Sequence, residues 1–330
     1  MEFLYDYGLF LAKAATTVFA IALVAGIIAN SAIRHKPKKG EFQFIDLSDD
    51  FAQLKQNLKA ELLDKKAFKR WQKEYKKLQS DAKNTTFVID FHGSMGASEV
   101  DALREEVTAI LAVAEPDDDV LVRLESGGGV VHGYGLGASQ LDRLRQRKIT
   151  LTVAVDKVAA SGGYMMACIA NRIIAAPFAI IGSIGVLAQL PNFHRLLQKN
   201  DIDFEQFTAG EYKRTVTLFG ENTDKGREKF QQDLEQTHQL FKDHVVQHRD
   251  VVDVEQVATG EYWLASQALE LKLVDALQTS DDFLLQRVEQ RRLLQVKFQP
   301  KKKLAERVGA GASVALQQLW QKMPFGLWGR

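Results

Sequence analysis

Val120-Leu121-Val122-Arg123-Leu124-Glu125-Ser126-Gly127-Gly128-Gly129 reads as a short apolar strand running straight into a glycine turn. Upstream, Phe87-Val88-Ile89-Asp90-Phe91 is a second strand, and downstream Thr150–Val155 is a third. Between them lie helical stretches near Ser98–Ala114 and Tyr134–Arg147. Short apolar strands alternating with helices predict an α/β domain layered on a parallel sheet. Functional groups in such sheets gather at the carboxyl ends of strands, and the glycine turn stands at one of them.

A second such end carries Asp156-Lys157-Val158-Ala159-Ala160-Ser161-Gly162-Gly163-Tyr164. A serine between small residues at the entry to a helix is placed to expose a nucleophilic hydroxyl. A glycine-rich turn elsewhere can bring backbone N–H groups close enough to stabilise an oxyanion. Together they point to acyl-transfer chemistry. The competing reading is structural: Ser161 caps a helix and the glycines only make a tight turn.

A serine hydroxyl needs a base near neutral pH. Of seven histidines, His35 sits in a basic cluster, His92 and His132 near strand ends, and His194 directly before Arg195. His238, His244 and His248 lie in a charged stretch, 225–250, that reads as one long helix, and the last two are expected to be solvated. His132, three residues past Gly129, is the best placed of the seven. The other candidate is Lys213, in Thr208-Ala209-Gly210-Glu211-Tyr212-Lys213-Arg214. A free lysine is neutral in only about 1 in 2,500 molecules at pH 7, so it serves as a base only where its surroundings strip water from it. The uncharged segment 173–190 is expected to supply such surroundings as buried strand and loop, the wall of an apolar groove. Pro177, Gly182, Gly185 and Pro191 argue against a transmembrane helix there.

The 330 residues carry 43 basic and 42 acidic side chains, so no global field recruits nucleic acid. The single cysteine, Cys168, excludes an intramolecular disulfide and a cysteine-rich zinc site; no metal or cofactor is expected. From Ala14 to Ile33 the chain has no charge, and such a helix matches a bilayer's hydrocarbon core. Glu2 and Asp6 precede the run where a cleaved signal peptide would carry positive charge, so a retained anchor is expected. Arg34, Lys36, Lys38 and Lys39 follow it, which by the positive-inside tendency leans the domain toward the cytoplasm.

Four motifs then fall in the order of a known family: Leu124-Glu125-Ser126-Gly127-Gly128-Gly129-Val130, Ala160-Ser161-Gly162-Gly163-Tyr164, Gly210-Glu211-Tyr212-Lys213, and Thr259-Gly260…Gln267-Ala268…Leu273-Val274-Asp275. Over roughly residues 85–290 the chain resembles the signal peptide peptidase A (SppA) family, and with its anchor a branch of bacterial inner-membrane proteases. The resemblance implies a ClpP/crotonase-like fold of repeated ββα units and a serine–lysine dyad. Ser161 would be the nucleophile and Lys213 the general base. The oxyanion hole would be Gly162 N–H plus that of Gly129 or Gly128. It also implies a homo-oligomer in which the lysine approaches the serine of a neighbouring protomer. Two positions depart from the family: Gly127 where proline is common, and Lys272 where a glycine usually precedes Leu-Val-Asp.

The expected organisation is a membrane anchor and basic segment at 1–40, a charged helical stalk at 41–84, the peptidase domain at 85–290, and a basic, aromatic tail at 291–330. Expected substrates are short, unfolded or hydrophobic peptides such as signal-peptide remnants. The alternatives are a catalytically silent membrane scaffold and a crotonase-like acyl-CoA enzyme.

Overall fold

The computed structural model describes residues 16, 40–79 and 84–300. The expected anchor, the basic cluster with His35, and the tail beyond Pro300 lie outside these residues. Among the described residues no helix is long and apolar enough to cross a membrane. The chain divides into two units, Met1–Glu41 with Gln299–Arg330, and Phe42–Phe298; the elements below belong to the second, apart from the outer ends of the first and last strands.

In chain order the elements are β1 (Gly40–Asp46), α1 (Leu47–Leu62), α2 (Lys65–Gln79), β2 (Thr85–His92), α3 (Val100–Val113), β3 (Asp119–Glu125), α4 (Val131–Gln146), β4 (Thr150–Val155) and β5 (Val158–Ala160). There follow α5 (Gly162–Ala167), β6 (Arg172–Ala175), β7 (Ile180–Gly182), α6 (His194–Lys199), α7 (Asp224–His248) and α8 (Val254–Val257). The chain continues through β8 (Tyr262–Leu264), α9 (Ala265–Glu270), β9 (Ala276–Leu277), α10 (Ser280–Arg287) and β10 (Arg292–Pro300).

Seven strands form one sheet in the order β1-β10-β2-β3-β4-β6-β9, and every pairing from β10 to β9 is parallel. Strand periodicity of two sorts its side chains between two cores. Phe87, Ile89, Phe91, Val120, Val122, Leu124, Leu151, Val153 and Val155 join the larger core, which also takes apolar residues from α3, α4, α5 and α7. Val88, Leu121 and Ala154 point the other way, toward Phe283 and Leu284 of α10 and Leu47 and Phe51 of α1. Burial of both faces is why these strands are apolar almost throughout.

A second, three-stranded sheet, β5-β7-β8, stands at the carboxyl ends of the main strands. A parallel bridge between Ser126 and Ala159 ties the residue after β3 to the middle of β5. This stitch brings two distant sequence motifs into contact.

Three expectations need correction. The segment expected to be a helical stalk from residue 41 opens as strand β1, because Phe42-Gln43-Phe44 alternates with period two; Phe42 packs edge-on against Phe298 at 5.0 Å between ring centroids. The tail expected from residue 291 opens as strand β10, held between β1 and β2 with Leu293 and Val296 buried. The uncharged segment is only partly buried: Phe178 breaks the buried run up to Ile184, and beyond it Leu187 is 79% exposed, with Leu190 and Phe193 exposed as well.

Candidate active site

The site grows from the stitch between β3 and β5. Ser126 N–H donates to Val158 O at 2.9 Å, and Ala160 N–H donates to Ser126 O at 3.0 Å. Ser161 follows at once, with its N–H donating to Gly182 O of β7 at 2.8 Å. Its backbone is forced to φ 52°, ψ −119° before α5 begins at Gly162. That conformation costs a non-glycine residue on the order of 1–3 kcal/mol and persists only where the surroundings impose it. The Ser161 hydroxyl makes no capping bond to α5. The helix-cap reading of Ser161 therefore fails: its hydroxyl bonds no N–H of the helix it precedes.

The glycines around Ser161 are required by close approach. A Cβ on Gly162 would stand 2.4 Å from Tyr134 Cγ, and one on Gly163 would stand 2.5 Å from Ser126 O. Gly128, at φ +90°, lies so close that a Cβ there would be 2.7 Å from both Gly162 N and Ser161 Cβ. The glycine turn is thus folded directly over the start of α5.

Not every N–H in that turn is free. Gly128 N–H donates to Ser126 Oγ at 3.1 Å. Those of Gly129 and Gly162 have no partner among the described residues. Of the two glycines left open by the sequence, Gly129 is the one with an available donor. It is backed by the loop before α3, where Val130 N–H donates to Met95 O at 2.9 Å. Glu99 holds that loop through Ser94 N–H and Oγ at 3.0 and 2.9 Å.

Beside Ser161 is a recess of about 20 Å³ lined by Gly129, Gly162, Met165, Val186, Thr237 and Phe241, among others. Thr237 and Phe241 come from α7, whose contribution to a site was not anticipated. The signal was present: Leu234, Phe241 and Val245 recur at helical spacing along an otherwise charged stretch. His244, expected to be solvated, is half-buried, with Nε2 3.0 Å from Met165 O on α5. Burial there holds its pKa below the usual imidazole value. His248 Nδ1 lies 2.9 Å from His244 O.

The remaining candidates stand apart. His132 is exposed on the first turn of α4 and does not line the recess. Lys213 is exposed, its N–H closing a turn to Gly210 O at 3.2 Å, and it does not line the recess either. Its ammonium has no partner among the described residues, whereas the neighbouring Glu211 pairs with Lys225 at 2.6 Å. Lys213 belongs to a strandless excursion between β7 and α7 that exposes Leu187, Leu196, Ile202, Phe204 and Phe207. Among the described residues that line the Ser161 recess there is neither a histidine nor a lysine.

The Leu273-Val274-Asp275 motif closes the other end of α5. Tyr164, fully buried, donates from its hydroxyl to Leu273 O at 3.0 Å. Asp275 takes bonds from Ile173 N–H at 2.6 Å and Arg249 at 2.8 Å. Lys272, where the family pattern has glycine, adopts φ 59°, the backbone region that explains that preference. Burial pushes the neighbouring Cys168 thiol up to about 12, so it is an inert core residue. Among the described residues no group of three or more His, Cys, Asp or Glu is arranged to hold a metal ion.

Residues 2–141 match the family described as Peptidase family S49 N-terminal, and residues 143–294 match Peptidase family S49. The chain is 49% identical to the Probable protease SohB of Haemophilus influenzae, over 94% of this chain and 93% of that one. It is 48% identical to the Probable protease SohB of Buchnera aphidicola subsp. Schlechtendalia chinensis, over 87% of this chain and all of that one.

Proposed function

The chain belongs to peptidase family S49, and from that we infer that it is a membrane-anchored serine endopeptidase whose nucleophile is Ser161 and whose general base is Lys213 of a neighbouring protomer. The observation that carries this reading is the strained Ser161 turn, with its hydroxyl uncommitted and the free N–H groups of Gly162 and Gly129 beside it. The small sheet that bears this turn at the carboxyl edge of a parallel sheet supports the ClpP/crotonase-like assignment.

The chemistry follows from that geometry. Ser161 Oγ attacks the scissile carbonyl carbon and passes its proton to the neutral amine of Lys213. The carbonyl oxygen becomes an oxyanion and accepts hydrogen bonds from Gly162 and Gly129 N–H. Collapse breaks the C–N bond as the Lys213 ammonium returns the proton to the leaving amine. Water, deprotonated by the same lysine, then hydrolyses the acyl ester and regenerates Ser161.

The exposure of Lys213 supports a shared dyad. A lysine serves as a base only where its surroundings strip water from it, and packing against another protomer would do so. Exposed Leu187, Phe204 and Phe207 on the same excursion supply apolar surface for that contact. An isolated monomer is then inactive. The uncharged run 14–33 is the anchor in the bacterial inner membrane, with the domain leaning to the cytoplasmic side. Substrates are short, unfolded or hydrophobic peptides, consistent with the apolar lining of Val186, Met165 and Phe241.

The test is hydrolysis of a pool of unstructured apolar peptides by the solubilised oligomer, with Ser161→Ala and Lys213→Ala in parallel. Both variants are expected to be inactive yet folded, and their mixture to regain activity by subunit exchange. Mixed oligomers that remain inactive argue against a shared site. Activity retained in Lys213→Ala removes the lysine from the mechanism.

A further inference from the structure

Helix α2 carries a charged face that neither the core nor the Ser161 site uses. Over Lys65–Tyr75 the cations Lys65, Lys66, Lys69, Arg70 and Lys73 stand against one acid, Glu74. All five are exposed, and none of their side chains has an ion-pair or hydrogen-bond partner among the described residues. The opposite stripe is aromatic and half-buried: Phe68 stacks on Trp71 at 5.8 Å, and Trp71 on Tyr75 at 5.1 Å. That stripe fixes which way the helix faces and leaves the cations turned outward.

The needs of the helix itself do not explain this charge. Lys65 and Lys66 occupy a first turn that holds no acid, where the helix dipole disfavours positive charge. Lys65 with Lys69, Lys66 with Arg70, and Lys69 with Lys73 are like-charge pairs four residues apart, which repel. The N-terminus is instead capped by Asp64, whose Oδ1 accepts from Lys66 and Ala67 N–H at 2.8 Å each. An arrangement that costs the isolated helix stability is compensated when an external array of negative charge lies across it.

We propose that the cationic face of α2 docks on anionic lipid headgroups and holds the peptidase domain against the bilayer surface. Its net positive charge complements a surface that is itself a dense sheet of negative charge, to which each lysine or arginine adds attraction. A bilayer is favoured over other polyanions by the chain upstream. The uncharged run 14–33 and the basic Arg34, Lys36, Lys38 and Lys39 precede α2 within about three dozen residues, so basic charge accumulates where a tether would hold the domain close. The proposal rests on the membrane attachment inferred above, and not on the chemistry of Ser161.

The test reads amide hydrogen exchange over residues 65–79 in the full chain, reconstituted in nanodiscs of phosphatidylcholine alone or with about one-quarter phosphatidylglycerol. The tether is the same in both discs, so only headgroup charge differs. Exchange over α2 is expected to slow about tenfold in the phosphatidylglycerol discs alone. The protection should vanish at about 0.5 M salt, which shortens the screening length. It should also vanish in the variant Lys66→Glu/Lys69→Glu/Arg70→Glu/Lys73→Glu, and a milder variant with glutamine at these four positions guards against misfolding. If the chain does not enter discs, the attachment reading fails separately, and added phosphatidylglycerol vesicles read the same helix directly. Equal exchange with both lipids overturns the proposal. So does equal protection by an oligonucleotide or poly-glutamate, which would make the face a general polyanion surface.

Discussion

The hydroxyl oxygens of Tyr134 and Ser126 lie 2.5 Å apart, and through this bond the glycine turn is tied to helix α4. Tyr134 donates to Ser94 O at 2.8 Å, and burial keeps its phenol protonated. Ser126 Oγ in turn accepts Gly128 N–H at 3.1 Å. The series Ser94–Tyr134–Ser126–Gly128 thus sets the height of the turn whose next residue, Gly129, offers its N–H beside Ser161.

Tyr134→Phe removes the donor to Ser94 O and the partner of Ser126 Oγ while leaving the ring packed. The variant is expected to lose about 1–3 kcal/mol of stability, the cost of unpaired buried polar groups. It should also lower kcat more than it raises KM, because oxyanion donors act chiefly in the transition state. Thermal unfolding with peptide hydrolysis checks both. Lost stability with unchanged kcat would show that the turn holds its geometry without the phenol.

Gly128→Ala places a Cβ 2.7 Å from Gly162 N and Ser161 Cβ, at φ +90°. Both contacts are to atoms fixed in the site, so the backbone of the turn must shift. Activity should fall by about 100-fold or more, the scale for loss of an oxyanion donor. Gly127→Ala is the matched control: nothing lies within 4 Å of its Cβ. It should leave activity within about twofold, a change below ~0.5 kcal/mol. Equal effects at the two positions would refute the close-packing account.

The parallel sheet was legible from the sequence because both its faces are buried: Thr150–Val155 is a strand with the bounds read from the sequence, and the long charged helix falls within a residue or two of its expected limits. Among the strands not read from the sequence, β1 and β10 were missed for physical reasons. β1 pairs alternating phenylalanines at an exposed edge, and β10 begins 17 residues past Asp275, where the motifs that suggested the end of the domain stop. At the site, Ser161, Gly162 and Gly129 were visible as local patterns. The choice against Gly128 was not, since only the three-dimensional bond to Ser126 Oγ occupies its N–H. The role of α7 was hidden because one apolar stripe among many charges reads equally as a solvated helix.

Glu106 supplies a pH dependence with a defined sign. Burial lifts its carboxyl from 4.5 to about 7, although its bond from Phe298 N–H and the nearby Lys297 oppose the rise. Between those two values the folded state binds more protons than the unfolded one, so stability falls as pH rises from about 4.5 to about 7. The loss is on the order of 3 kcal/mol when complete. Glu106→Gln keeps an acceptor for Phe298 N–H, which lies 2.8 Å from the carboxylate. The variant should be more stable than wild type at about pH 8, by up to that amount, and indistinguishable from it near pH 4.5. Denaturant unfolding at the two pH values measures the difference. An advantage that persists in acid would mean the effect is not ionisation.

Phe207 tests the interface that a shared dyad requires. Its side chain is 89% exposed, on the same excursion as Lys213 and outside the cores of the protomer. Phe207→Asp should therefore leave the protomer's thermal unfolding nearly unchanged, within ~0.5 kcal/mol as for an ordinary surface substitution. If the excursion packs on a neighbouring chain, burying a carboxylate there costs several kcal/mol and the oligomer should dissociate. Peptidase activity should fall with it, because Ser161 then faces no lysine, and should return as protein concentration rises. Light scattering and hydrolysis across a dilution series follow both quantities together. An oligomer that dissociates while the monomer remains active would separate assembly from catalysis and return the search for the base to the Ser161 recess of the single chain.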